Sequence, residues 1–252
     1  MRRALALALI LLGLLGALAP PSLAWAPAAR VRMIDEATRL MPASLRLALT
    51  HDREALLRGA LEPMADEDGP SHRPASAGGT LEAAIAARHA AVVRALEEGR
   101  SFGEVVHALG ELAHFLADAE FPPNAEAGAD RRYVFLSQFV EDRRARFPLV
   151  FYGHDDPDLE RRDVAGFTRR ELDAAARLDG ELQGALAGAA PQAGPAAFDD
   201  RSVPFAVGSL AWSRTVTGVV RVWCDAWRRG GGDLARTPYL STEERRRREQ
   251  DR

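Results

Sequence analysis

Four residues near the middle of the chain, His107, Glu111, His114 and Asp118, are spaced by four, three and four positions. On an α-helix that spacing lines their side chains along one stripe. A neutral imidazole and an ionised carboxylate one turn apart both present lone pairs. His114 and Asp118 can therefore hold a divalent metal ion between them. His107 and Glu111, on the preceding turns, are candidates for partners that steady those ligands from behind. The same spacing also describes a His–Asp pair on a solvated helix face.

The element that must position them spans residues 101–124. Ser101 followed by Glu104 forms a capping-box pattern, which starts a helix. Val105, Val106, Leu109, Leu112, Phe115 and Leu116 give it a broad apolar face. Pro122 and Pro123 end it. On either side the sequence keeps a helical period. Val31, Ile34 and Ala37 recur ahead of Pro42, and a second periodic run covers 45–61 and stops at Pro63. Residues 64–79 are acidic and then rich in Pro, Ser and Gly, hence a loop carrying Asp66, Glu67, Asp68 and His72. Thr80 starts a helix that runs to about 98, and Gly99 stops it.

Further helices are expected at 133–147 and 168–186, with a turn-rich junction at 154–157 between them. The stretch 201–227 is apolar on several sides. Trp212, Trp223 and Trp227 lie within it, which marks a central, buried helix rather than a lipid-facing one. The expected fold is a single all-α, multi-helix domain over residues 25–240 with about seven main helices and a buried C-terminal helix. Residues 241–252 form a charged tail.

Composition narrows the function classes. The chain has 252 residues, 47% hydrophobic and 27% charged, which is enough for one domain with a real core. Its formal charge of −3 and its lack of a basic stripe disfavour a nucleic-acid partner. Cys224 is the only cysteine, so there is no intramolecular disulfide.

The first 24 residues read as a secretory signal peptide. Arg2 and Arg3 precede an apolar run, and Ser22 and Ala24 supply small residues two apart. Cleavage after Ala24 removes both arginines, takes the charge from −3 to −5, and leaves Trp25 with a free amine. Cleavage after Ala26 would remove Trp25. The mature chain then has no membrane span and is expected in the periplasm or outside the cell.

The order of these features resembles the superfamily of zinc-dependent phospholipases C and single-strand-specific nucleases. The likeness runs from Trp25 to about residue 233. It is carried by Trp25, the acidic loop with His72, Leu109-Gly110, His114, Asp118 and Pro122, and then Ser209-Leu210, Ser213-Arg214 and Val216.

The resemblance implies zinc ions held between helices and cleavage of phosphodiesters. In its terms Trp25 would give amine and carbonyl to one zinc, but Arg30 stands where a helping His is expected. A second zinc would take His72, His114, Asp118 and an acidic-loop carboxylate, Asp66 or Asp68 in place of the aspartate lost at Met64. The remaining site needs a loop His, where Asn124 stands, and then a His-bearing pair. That pair falls on Tyr133/Ser137, Ser137/Glu141 or Gln138/Asp142, none of which contains a His.

A guanidinium cannot ligate zinc, so Arg30 should pair with Asp118 or face the emptied pocket. The neutral amide of Asn124 is a poor ligand. At most one zinc is expected, with Asp118 the residue on which catalysis would depend. Two functions follow. One is a phosphodiester hydrolase of phospholipase C type, a monomer acting on a phospholipid or another small phosphodiester. The other is a catalytically inactive relative acting as a binding or scaffold protein of the cell envelope.

Overall fold

The computed structural model describes residues 24–125, 130–190 and 193–240. The expected leader up to residue 23 and the charged tail lie outside the described residues. Among the described residues the regular structure is helical, with nine α-helices and no strand. They are α1 (Pro27–Arg39), α2 (Ala43–His51), α3 (Arg53–Leu61), α4 (Leu81–Glu97), α5 (Phe102–Glu120), α6 (Asp130–Arg143), α7 (Pro157–Glu160), α8 (Val164–Ala187) and α9 (Val203–Arg229). None is long and apolar enough to cross a membrane.

The centre of the bundle is α5. Its capping box is formed: Glu104 N donates to Ser101 Oγ at 3.4 Å, and Ser101 N donates to Glu104 Oε2 at 3.1 Å. Pro122 and Pro123 stop it, and Phe121 turns extended at φ −78°, ψ 109°. From Leu112 to Glu120 every residue is buried. The chain therefore buries His114, Asp118 and Glu120 along with the apolar face.

Two glycines set the distance between α3 and α5. A Cβ on Gly110 would stand 2.2 Å from the Leu56 carbonyl oxygen, and one on Gly59 would stand 2.1 Å from that of His107. The two backbones thus touch where neither helix carries a side chain. One turn further along, this contact brings the Ala60 carbonyl onto His114.

The C-terminal helix α9 is buried through most of its length, with Trp212, Val216, Val220 and Trp223 at zero exposure. Its indoles do not strand their N–H groups. Trp212 donates to Glu36 at 2.7 Å, Trp223 to the Leu109 carbonyl at 2.9 Å and Trp227 to that of Asp233 at 2.9 Å. Cys224 is a buried free thiol, and burial raises its pKa to about 12.

Several boundaries differ from the periodic reading. The run at 45–61 is two helices, because Asp52 leaves the helical region at φ −98°, ψ 31°. The helix expected at 133–147 spans Asp130–Arg143 instead. The next begins at Val164, where Asp163 accepts from Gly166 N. The turn-rich junction holds α7, capped by the Asp156 carboxylate.

Candidate metal centre

His114 and Asp118 project from successive turns of α5, and His72 reaches them from the 3-10 turn Pro70–His72. His72 Nδ1 lies 2.8 Å from Asp118 Oδ2. His114 Nε2 lies 3.3 Å from both that nitrogen and that oxygen. All three residues are deeply buried, at 5%, 1% and 1% exposure.

The hydrogen-bond pattern fixes the proton positions. The Ala60 carbonyl can only accept, so His114 Nδ1, 2.8 Å away, carries its hydrogen and Nε2 presents a lone pair to the cluster. Burial, and then the Arg30 charge, lower the His114 pKa and keep the ring neutral. Burial alone would raise Asp118. The Arg30 guanidinium outweighs it, with help from His114 and His72, and holds the carboxyl well below the usual range. The His72 hydrogen on Nδ1 is left pointing at Asp118.

These atoms fit a metal ion. Tetrahedral zinc with bonds of about 2.0–2.1 Å needs donors roughly 3.3 Å apart. Two of the three separations here are 3.3 Å. The third, at 2.8 Å, is the pair now joined by a proton. His72, His114 and Asp118 would be the protein ligands, with the His72 hydrogen moved to Nε2. A zinc so held would supply a Lewis acid, or a fixed cross-link between the loop and α5.

Arg30 occupies the other side of Asp118. From α1 its Nη2 donates to Asp118 Oδ1 at 2.5 Å, its Nη1 to the His114 carbonyl at 3.0 Å and its Nε to the Trp25 carbonyl at 3.1 Å. The guanidinium is itself only 2% exposed. Trp25, at zero exposure, packs edge-on against Phe121 and Trp212, and its indole donates to the Ala117 carbonyl at 2.8 Å. Its carbonyl is thus engaged by Arg30 and its ring belongs to the core.

Asn124 closes the cluster from below. Its Nδ2 donates to the carbonyls of His72 at 2.7 Å and Asp118 at 2.9 Å, and the Tyr133 hydroxyl donates to its Oδ1. Burial raises the Tyr133 pKa, so the phenol keeps its proton. A cavity of about 10 Å³ lies beside Arg30 and His114, bounded by Ala60, Ala113 and Ala117. That is room for about one water molecule.

Not every expected site residue arrives. Asp66 and Asp68 are exposed and stand outside the cluster. Consecutive acids on a tight turn cannot all face one way, and the acid that turns inward is Glu67. Its Oε1 is 3.8 Å from the Arg30 guanidinium. His107 and Glu111 do not support the ligands. His107 pairs with Glu62 at 3.0 Å near the protein surface, and the charge of Glu111 acts on Arg88. Their expected places behind the ligands are taken by the Ala60 carbonyl, Arg30 and Asn124.

Sequence reasoning also missed an ionic group at the far end of α5. There Glu120 meets Arg214, and Arg214 meets Glu171. Its signals were an acid two positions before Pro122, and Arg214, which the sequence offered only as part of the resemblance. No protein-family model, curated protein or solved structure matches this chain.

Proposed function

We propose that this chain is a non-catalytic relative of the zinc-dependent phospholipases C and single-strand-specific nucleases, exported and acting as a binding or scaffold protein of the cell envelope. The observation that carries this reading is Arg30. Its guanidinium donates to the Trp25 carbonyl, which the resemblance assigns to one zinc ion, and to Asp118 Oδ1, of a residue that it assigns to a second. A fixed organic cation thus stands where the metal charge is expected, and it cannot activate water. The position of the lost loop His is likewise filled, by the Asn124–Tyr133 hydrogen bond.

What remains is the His72–His114–Asp118 triangle, and it suits a structural ion better than a catalytic one. A phosphodiester needs a cleft of some hundreds of Å³. Here His72, His114 and Asp118 are each 5% exposed or less, buried as the ligands of a structural ion are.

A single-metal hydrolase is the second reading, and the spacing of the three donor atoms supports it. Elemental analysis and a chromogenic phosphodiester assay on the purified chain separate the two. The scaffold reading expects zero or one zinc per chain and no turnover at any zinc concentration. Turnover that a chelator abolishes, and that Asp118→Asn also abolishes, would overturn it in favour of the hydrolase.

A further inference from the structure

Away from the metal cluster, α8 and α9 face each other across a cleft of about 250 Å³. Both helices line it with the same pattern. Arg170, Ala174 and Arg177 follow one another at four and three positions on α8, and Arg214, Gly218 and Arg221 at four and three on α9. Each helix thus sets an arginine at either end of one face and a small residue between them. None of His72, His114 and Asp118 borders this space.

Three of the guanidiniums are held by carboxylates, and one of these, Glu171, itself borders the cleft between Arg170 and Arg214. Glu120, 1% exposed, fixes Arg214 Nε at 3.1 Å, and Glu171 takes its Nη2. Asp156, 3% exposed, holds Arg170 and lies 3.4 Å from Arg221. The carbonyls of Tyr152 and Gly153 take two further Arg221 donors, both at 3.0 Å. Arg214 Nη1 makes no hydrogen bond among the described residues. Arg177 makes neither a hydrogen bond nor an ion pair among them, so its charge is the one in this wall left without a counterion.

The gap in the middle is also not required by packing. A Cβ on Gly218 would meet Glu120 Oε1 at 3.7 Å and the Phe167 ring at 3.8 Å, ordinary contact distances. Glycine inside a helix costs about 1 kcal/mol relative to alanine. Here that cost is not offset by a closer helix approach, and the glycine borders the cleft.

We propose that this cleft binds a soluble phosphomonoester. Arg177 on α8 and Arg214 Nη1 on α9 leave donors free on both walls of one cleft, which suits a tetrahedral dianion with three free oxygens, whereas a carboxylate is satisfied by a single guanidinium fork. The volume exceeds that of inorganic phosphate and leaves room for a small organic group. Tyr152, 45% exposed where it lines the cleft, offers that group a ring to lie against.

The test is calorimetric titration of the full chain with glycerol 3-phosphate in the presence of a chelator. One saturable site is expected. Arg177→Ala should weaken binding about tenfold, the loss of one charge-assisted hydrogen bond, and Arg177→Glu should abolish it. Neither should lower the thermal midpoint, because Arg177 holds nothing in the fold. Arg169→Ala, one residue outside the cleft wall, should bind as the unaltered chain does. Absence of binding, equal binding by Arg177→Glu, or binding that needs a metal ion would each overturn the proposal. So would sedimentation with phosphatidic acid vesicles in the absence of glycerol 3-phosphate binding, which would put the anion on a membrane instead.

Discussion

Arg30 is the residue whose removal should be felt most. It carries a buried charge with a buried counterion, and truncating one partner of such a pair costs about 3–5 kcal/mol. Arg30→Met is expected to lower the urea midpoint accordingly. Arg30→Gln is expected to raise zinc affinity at His72, His114 and Asp118, because it withdraws a positive charge beside the site; a competitive chelator titration reads this. The Arg30–Asp118 pairing was one of two outcomes expected from the resemblance, which set Arg30 beside a ligand position where a guanidinium must find an anion or an emptied pocket. His114 and Asp118 were equally legible, because helix spacing is a local property. The choice among Asp66, Glu67 and Asp68 was not. It depends on which way a tight turn rolls against α1, and no periodicity encodes that.

At the scale of elements, two rules compete at the glycines. Helix propensity says that Gly→Ala within a helix stabilises by about 0.5–1 kcal/mol. At Gly180 on α8 nothing lies within 4 Å of a new Cβ, so Gly180→Ala should follow that rule. At Gly110 the new methyl would sit 2.2 Å from a backbone carbonyl that cannot rotate away. Gly110→Ala should therefore destabilise by about 1–3 kcal/mol or more, and by pushing α3 outward should loosen the Ala60–His114 bond. Thermal melts of the two variants should move in opposite directions. Leu109-Gly110 was visible in the sequence as part of a resemblance, but its physical work was not, because the partner that crowds it lies about fifty residues away. The same limit explains the missed break at Asp52. The apolar pattern continues through it, and only backbone geometry shows that the helix stops.

For the molecule as a whole, acid should be the effective denaturant. Burial favours the neutral form of Asp225, but hydrogen bonds from His89 and Arg229 outweigh it and depress its pKa. Asp118 is depressed further by Arg30 and the two histidines. A depressed carboxyl binds fewer protons folded than unfolded. Its contribution is complete above the ordinary value of about 3.9 and is lost as pH falls through the folded value. The urea midpoint should hold from neutral pH to about pH 5 and then fall. Asp225→Asn should start lower, and its curve should meet that of the unaltered chain once the pH has fallen below the depressed folded value of Asp225. The all-helical class and the buried final helix were legible at this scale, because both follow from apolar girth summed over many residues. The cleft between α8 and α9 was not, because its walls come from segments that the sequence shows only as two separate amphipathic runs.

The burial of Trp25 also sets an order of events. Ala24 and Trp25 are 6% and 0% exposed, and the Trp25 ring is wedged between Phe121, at the end of the central helix, and Trp212 of the last. A peptidase must hold several residues on both sides of its target bond in an extended strand, and a bond inside a packed core offers none. If the first 24 residues are a leader and it is cut at Ala24–Trp25, the cut has to come first and the core second, so the precursor must still be unfolded when it meets the peptidase. Precursor allowed to fold beforehand should resist cleavage at this bond, while the same chain kept in urea should be cut, a difference visible on a gel. The closing of Trp25 into the core then acts as a latch: once it shuts, an uncut chain keeps its leader.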